Sequence, residues 1–297
     1  MIIPYSTEVL IERWPISNLL IMALCVLFSA LLMTGVLSPD AVEVMVLYGW
    51  SPIGLIGHMF LHAGFWHLVF NMLYLWVFGN AVCERLGSIF HVIVFLITGV
   101  LAGVVHNVFN CSPAVGASGA INGIIGFYLV LYPVNRINCF WWFLIRGGTF
   151  SISGFWLILF WFALDAWHAF SGAENGIAYW AHVGGFVSGV VLGFFFLKTG
   201  LVKMASYDNP TLLDYMSGEH NLRKGLAHEK ESFIRPKLTS SYMESTGRSK
   251  KSDENLILSD INMDCPHCSQ NLDIPQEMIG AAFQCPSCNG TIQLEAE

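Results

Sequence analysis

A serine flanked by glycines begins an apolar segment near the middle of this chain, in the stretch VGASGAINGIIG, residues 115–126. A serine hydroxyl becomes a nucleophile when a base removes its proton, and His182, in the apolar stretch YWAHVGGFVSG, can supply that base. His67 and Asn71 are four residues apart, so they share one face of a helix and can donate hydrogen bonds to an oxyanion. Together with the backbone amide of Ser118, these residue types are those of serine-based acyl transfer.

Four cysteines near the end of the sequence form a second candidate site. They stand as CPHC at 265–268 and CPSC at 285–288, with sixteen residues between the two pairs. Two Cys-x-x-Cys pairs at such a spacing suit a zinc ion held tetrahedrally by four thiolates, whereas a thioredoxin-like redox pair lacks its surrounding fold pattern here. Four protein ligands leave no open position, so we expect a structural zinc and no cofactor for catalysis. The predicted ligands are Cys265, Cys268, Cys285 and Cys288.

The elements that must position these residues are apolar. The chain has 297 residues, of which 55% are hydrophobic and only 12% charged, against about 25% charged in an average soluble domain. The fold class predicted is an all-α polytopic membrane protein: a six-helix bundle over residues 1–204, a flexible linker over 205–260 and a small zinc-ribbon module over 261–297. The six apolar runs, each near the length of a membrane span, are 16–38, 66–82, 88–109, 118–134, 152–170 and 177–198.

The basic residues near the membrane indicate an orientation. The connections 39–65, 110–117 and 171–176 contain no Lys or Arg, whereas the alternate connections and both flanks do. Since Lys and Arg favour the cytoplasmic side, both termini are predicted to be cytoplasmic, in a multi-pass protein of a bacterial inner membrane. Disulfides are rare in the cytoplasm, so a cytoplasmic tail favours zinc over disulfides for the two cysteine pairs. Nothing in the chain is basic enough to predict a nucleic-acid partner.

With this topology the second, fourth and sixth runs enter from the same side, so the four candidate residues lie at similar depth. The fourth run is short: sixteen or so residues make about 24 Å of helix, less than the ~30 Å hydrocarbon core. Its first residue, Ser118, and the preceding loop are therefore expected below the membrane surface, which requires burial in protein or a wet cavity. Small residues spaced by four would let the fourth and sixth runs approach closely: Gly119, Gly123, Gly185, Gly189 and Gly193.

At this point the sequence resembles the rhomboid family of intramembrane serine proteases, over roughly residues 45–198. The resemblance rests on GASG around the serine, AHVGG around the histidine, HLVFN in the second run and FGNAVCERLG at 78–87. It implies a Ser118–His182 dyad that cleaves peptide bonds in or beside transmembrane segments of protein substrates within the lipid bilayer. It also implies an oxyanion hole made by His67, Asn71 and the Ser118 amide, and structural roles for His58 and His62 in the first external loop.

The sequence departs from the family pattern at two places. The Trp-Arg pair of the first external loop is not apparent. Four residues after the serine, where relatives often carry an aromatic residue that packs on the histidine, this chain has Asn122. Asn122 is predicted either to orient His182 through its amide oxygen or to bond a neighbouring helix or a cavity water. Asp165, a carboxylate inside the fifth run, has three predicted roles: a third member of a triad, a partner of His168, or a hydrated residue near the gate through which substrate would enter.

Two rival functions remain from other classes. A catalytically inactive rhomboid-like protein would bind or escort membrane clients, but it has no need for both Ser118 and His182. A transporter or channel would line a path with polar residues, whereas here they cluster at one leaflet. The cysteine-containing tail is expected to bind a cytoplasmic protein partner or to position the enzyme.

Overall fold

The structure is a computed structural model that describes residues 2–143, 146–173, 175–205 and 208–219, together with four short strands between residues 261 and 293. Contacts divide the chain into two units, Met1–Arg235 and Pro236–Glu297. The first unit is mainly helical. Its helices are α1 (Ile16–Met33), α2 (Pro39–Met45), α3 (Pro52–Gly57), α4 (Phe65–Tyr74), α5 (Asn80–Phe109), α6 (Ser118–Leu131), α7 (Gly154–Ser171), α8 (Tyr179–Thr199) and α9 (Leu212–Ser217).

Each predicted apolar run coincides over most of its length with helical residues of this unit. Among the described residues, four helical segments are long and apolar enough to cross a membrane: Ile16–Met33, Phe65–Phe109, Gly154–Ser171 and Tyr179–Thr199. The apolar helix α6 is shorter, with 14 residues. The segment Phe65–Phe109 comprises α4, a π-helical stretch at Leu75–Gly79 and α5.

This long segment is kinked at Gly87. This residue has φ +71° and ψ 167°, which interrupt the helix, and a positive φ is easily reached only by glycine. Cys83 Sγ and His91 Nδ1 both lie 3.1 Å from the hydroxyl of Ser17 on α1. Eight residues of straight helix would separate them by about 12 Å. The bend at Gly87 thus separates segments 65–86 and 88–109, which correspond to the predicted second and third runs.

Helix α6 forms the centre of the helical unit. Its side chains are buried all round, including Phe127, Tyr128 and Leu131, as expected of a helix that is apolar on every face. The predicted glycine packing is confirmed, because a Cβ atom at Gly185 or Gly189 of α8 would overlap a backbone carbonyl of α6. The two backbones are in direct contact, and this closeness fixes what α6 and α8 can bring together.

A three-stranded antiparallel sheet, which the sequence did not predict, is formed by the N-terminal segment and the connection between α6 and α7. Its strands are β1 (Ile2–Thr7), β2 (Arg136–Phe143) and β3 (Arg146–Ser153), in the order β1-β2-β3. β2 is rich in aromatic and branched residues, which favour strands. The N-terminal strand pairs with β2 from Ile2 opposite Trp141 to Thr7 opposite Ile137.

Polar contacts beyond the C-terminal end of α6 hold the segment that follows α8. The guanidinium of Arg85 donates to the carboxylate of Asp208 at 2.9 Å and to the Tyr132 hydroxyl at 3.1 Å. We call Arg85, Tyr132 and Asp208 the clasp. Asn209 donates to Asn135 nearby at 3.1 Å, and a capping box of Thr211 and Asp214 begins α9. Residues 208–217, within the predicted linker 205–260, are thus structured and contact the helical unit.

The second unit contains two antiparallel hairpins. Strands β4 (Ile261–Asp264) and β5 (Asn271–Ile274) form one, and β6 (Ala282–Gln284) and β7 (Thr291–Gln293) form the other. The four predicted zinc ligands lie outside the described residues: Cys265, Cys268, Cys285 and Cys288.

Candidate active site

Ser118 is the first residue of α6, so its amide belongs to the first turn, where backbone N–H groups lack intrahelical acceptors. The loop before it is fixed by backbone contacts, because Gly116 N–H donates to the His58 carbonyl at 2.8 Å and Leu47 pairs with Ala114. His106 adds a side-chain bond of 2.8 Å to the carbonyl of Ser112. These contacts give several polar groups of the loop partners within the protein.

His182 lies in the first turn of α8 and faces the serine. Its Nε2 atom is 3.0 Å from Ser118 Oγ, across 64 residues of sequence. This distance is within hydrogen-bond reach of a nucleophile and its general base. The close approach of α6 and α8 through Gly119 and Gly185 lies one turn or less from both residues and makes the pairing possible. The predicted pair is therefore brought together.

Asp165 of α7 contacts the other nitrogen of the same ring. Its Oδ2 atom is 3.0 Å from His182 Nδ1, and the two side chains are 23% and 14% exposed. Of the alternatives open from the sequence, the structure thus places the carboxylate on the candidate base. His168 instead stacks on the ring of Tyr179, with centroids 4.8 Å apart.

Among the described residues no hydrogen bond joins Asn122 to His182 or to a neighbouring helix, so the predicted bond from the Asn122 amide to the histidine is not formed. The Asn122 Nδ2 atom donates to the carbonyl of Ser118 at 3.0 Å. An amide side chain within a helix can bond the carbonyl four residues earlier, and this local bond turns Asn122 toward its own helix. Both ring nitrogens of His182 have other partners, Ser118 and Asp165.

His67 and Asn71 lie on α4 beside the serine. The ring of His67 occupies the space next to Gly116, where an added Cβ would lie 2.7 Å from the imidazole Cε1 atom. Gly116 has φ +127°, so both its conformation and this contact require glycine. Asn71 is 6% exposed and donates from Nδ2 to the His67 carbonyl at 2.8 Å.

His58 and His62 support the loops around the site. His58 Nδ1 bonds the Gly54 carbonyl at 2.8 Å, and His62 Nδ1 lies 2.9 Å from the Ser29 hydroxyl. Burial lowers the pKa of His58 and His62 from 6.5 to about 4. Both rings are therefore neutral at pH 7, as suits hydrogen-bonding structural residues.

A cavity of about 1010 Å³ connects the candidate residues. Its polar groups lie among aromatic and branched side chains contributed by α4, α6 and α7. Such a mixture suits a site that binds an apolar chain and needs water for hydrolysis. The lining includes His67, Asn71, Ser118, Asp165 and His182, with Phe70, Tyr74, Ile121, Ile125, Ile158, Trp161 and Phe162.

Comparison with known proteins agrees with this architecture. The rhomboid domain of the protein-family models matches residues 49–199, about half of the chain. The chain belongs to the rhomboid family. The matched region contains α3 to α8, and hence every candidate residue of the cavity.

Curated rhomboid proteins are similar to this chain over the same region. Rhomboid protein 1, mitochondrial, from Saccharomyces cerevisiae is 32% identical over 161 residues, covering 51% of this chain and 44% of that protein. Rhomboid protease GlpG from Salmonella paratyphi A is 25% identical over 197 residues, covering 64% and 66%. Rhomboid protease GlpG from Klebsiella pneumoniae is 28% identical over 137 residues, covering 46% of each. The chain thus spans between 44% and 66% of the length of these relatives.

Proposed function

We propose that this rhomboid protein is an intramembrane serine endopeptidase that cleaves transmembrane or juxtamembrane segments of other membrane proteins. The observation that supports it most directly is the 3.0 Å contact between Ser118 Oγ and His182 Nε2 inside a cavity bordered by apolar helices. Membership of the rhomboid family supports the same class of chemistry. The proposal includes six membrane spans, with the α4–α5 segment counted as two and α6 as one, and cytoplasmic termini.

The chemistry follows from the contacts of the two residues. His182 Nε2 takes the proton of Ser118 as Oγ bonds to the carbonyl carbon of the scissile peptide. The tetrahedral intermediate collapses, the C–N bond breaks, and the imidazolium returns the proton to the leaving amine. A water molecule, deprotonated by the same imidazole, then hydrolyses the acyl-enzyme ester and regenerates the serine.

The oxyanion formed in each step needs hydrogen-bond donors. The Ser118 amide lies at a helix N-terminus, where the helix dipole also favours negative charge. The Asn71 amide nitrogen carries two hydrogens, and its bond to His67 uses one of them. The second N–H and an N–H of the His67 ring are the further donors of the proposed hole.

The alternative is a rhomboid protein without catalysis that binds or escorts membrane clients. Labelling by a fluorophosphonate, which reacts with an activated serine, separates the two. We expect the purified wild type to be labelled and to cleave a model transmembrane substrate, and Ser118→Ala and His182→Ala to lose both activities.

Ser188→Ala is the matched control for this experiment. Ser188 is a serine of α8 whose hydroxyl donates to the Gly185 carbonyl at 2.7 Å and does not line the cavity. The Ser188→Ala variant should be labelled by the fluorophosphonate to the same extent as the wild type. Cleavage by a verified Ser118→Ala protein would disprove the serine mechanism, and a folded wild type without labelling or cleavage would favour the escort function.

We also propose that the second unit binds one structural zinc ion through its four cysteines and recruits a cytoplasmic protein partner. Each Cys-x-x-Cys pair lies in the sequence between the two strands of a hairpin, which is a position that suits paired ligands. Metal analysis of the full chain should find one zinc per molecule, reduced in Cys265→Ser and Cys285→Ser. Cys111→Ser, at an exposed free cysteine of the first unit, is the control. Full zinc content in both ligand variants would refute the site.

A further inference from the structure

The carboxylate that contacts His182 comes from a helix that carries neither the nucleophile nor the base. Asp165 lies on α7 and reaches across to α8, so that Ser118 Oγ, both nitrogens of His182 and Asp165 Oδ2 form a continuous series of contacts of 3.0 Å each. The partial exposure of this pair, 14% for His182 and 23% for Asp165, places it at the cavity wall. The series spans three separate helices, α6, α8 and α7.

Such a contact determines which nitrogen of the ring carries the proton. A neutral imidazole can accept the serine proton at Nε2 only if its single hydrogen is on Nδ1. A carboxylate accepts a hydrogen bond and cannot donate one when ionised, so Asp165 selects the tautomer with Nδ1–H. After proton transfer it also lies beside the positive imidazolium, where opposite charge lowers the energy of the intermediate.

The other polar groups facing His182 do not perform this role. His67 from α4 and His106 from α5 act on it through charge and would repel an imidazolium if protonated. Tyr179 of α8 presents its ring edge-on at 6.0 Å, and His168 of α7 stacks on Tyr179. On α6, Asn122 is bonded to Ser118 O.

We propose that Asp165 is a positioning residue that holds the tautomer and orientation of His182, so that the site works as a Ser118–His182–Asp165 triad. This inference rests on the proposed protease function. In this chain Asn122, four residues after the serine, bonds the Ser118 carbonyl and does not support His182. Asp165 supplies that support instead.

Asp165→Asn tests the proposal with almost no change in size. An asparagine can donate to Nδ1 and thereby favour the opposite tautomer, which cannot act as a base toward Ser118. Loss of such a carboxylate costs about 10⁴-fold in kcat where it is fully buried. For the partly exposed Asp165 we expect on the order of 10²-fold in kcat, with KM nearly unchanged. Asp165→Glu keeps the charge and should recover activity to within roughly tenfold of the wild type.

The pH profile separates this role from a structural one. Without the negative charge, the imidazolium is less favoured, so the acidic limb of the Asp165→Asn rate profile should lie at lower pH than that of the wild type or Asp165→Glu. Asp40→Asn makes the same chemical change on α2, at a residue outside the cavity, and should match the wild type throughout. Unfolding midpoints in the same detergent verify folding. If Asp165→Asn does not fold, Asp165→Ser removes the carboxylate in a smaller residue and is measured instead.

The outcomes are distinct. A folded Asp165→Asn protein within twofold of an active wild type from pH 6 to 9 would overturn the triad and leave the protease function intact. Equal losses in Asp165→Asn and Asp165→Glu, with an unshifted pH profile, would also overturn it in favour of a packing role. A wild type that neither labels nor cleaves would overturn the proposed function and the triad with it.

Discussion

The two ends of α6 are built on different principles. At its first residue, Ser118, polar side chains line an open cavity and stay partly exposed. About 21 Å away, at the rise of 1.5 Å per residue over the 14 residues of α6, Tyr132 joins a clasp whose charged groups are 14% and 9% exposed. The same helix thus separates an open cavity that contains the candidate site from a mostly buried cluster of charged and polar side chains.

The difference teaches where stability and function are located in the molecule. The polar groups of the clasp bond to one another, and the strands of the three-stranded sheet pair along their length. The cavity end keeps hydrogen-bonding capacity for a substrate, and functional sites commonly break packing rules in this way. Substitutions at the two ends should therefore separate activity from folding.

Removal of an oxyanion donor should have the largest effect after loss of the serine or histidine. We expect His67→Ala and Asn71→Ala each to lower kcat by about 10²–10³-fold, because the charge of the intermediate loses a preorganised hydrogen bond. Steady-state cleavage of a transmembrane substrate measures it. Asn138→Ala, at an asparagine of β2 bonded to Ser6, is the control at the opposite end. Activity within twofold of the wild type in both cavity variants would exclude them from the oxyanion hole.

Adding a methyl group between α6 and α8 should affect activity differently at the two ends of α6. Gly185→Ala pushes against the Gly119 carbonyl, next to the catalytic pair, whereas Gly193→Ala meets the side chain of Val130. Both should lose about 1–3 kcal/mol of stability through overpacking. Gly185→Ala alone should also lose on the order of 10²-fold in kcat, since a displacement of about 1 Å at a catalytic group has that effect. Thermal unfolding and cleavage per folded molecule measure the two effects. Equal activity in both variants would contradict the separation.

Breaking the clasp should weaken folding and spare catalysis. Arg85→Gln leaves the carboxylate of Asp208 without its guanidinium partner in a mostly buried position, for which we expect a loss of about 2–4 kcal/mol. Cleavage per folded molecule should stay within twofold. Arg146→Gln, at an exposed position of β3, is the control. A chain ended after Ser206 lacks Asp208 and should resemble Arg85→Gln, whereas one ended after Gly218 should be as stable as the wild type.

The last prediction concerns stability alone, with no change in catalysis: a pH dependence of unfolding. The pKa of His58 and His62 is about 4 in the folded protein because of burial, against 6.5 when exposed. The unfolded chain therefore binds more protons between these values, and stability should fall as pH decreases from 6.5 toward 4. Unfolding midpoints in detergent across this range measure the slope. His62→Asn, which keeps a donor near Ser29 and removes the titration, should show a shallower slope. An unchanged slope would argue against this origin.

Much of the helical unit could be predicted from the sequence, because apolar runs of membrane length and glycines spaced by four are local signals. The approach of Ser118 and His182 followed from helix order and orientation. The Asp165 contact could not be assigned, since it depends on the rotation of α7 relative to α8, and His168 was closer in sequence. The predicted bond between Asn122 and His182 is not formed, because the Asn122 amide bonds the Ser118 carbonyl of its own helix instead.

The sheet was missed for two different reasons. The β2–β3 hairpin carried only a partial signal, because β2 is an aromatic and branched run but Gly147 and Gly148, which commonly mark turns, lie within β3. The pairing of β1 with β2 joins residues more than a hundred positions apart, and no local pattern reports it. The structured segment 208–217 likewise depends on Arg85, far earlier in the chain.

The sequence separation of the proposed catalytic pair also has a consequence for biosynthesis. Ser118 is made 64 residues before His182, an interval of about 3–13 s at 5–20 residues per second. During that time the nascent protein contains the serine without its base, and Asp165 likewise has no histidine partner until α8 is made. On the proposed chemistry, a chain that lacks α8 is inert toward its neighbours in the membrane, and proteolytic competence begins only when α8 has been inserted.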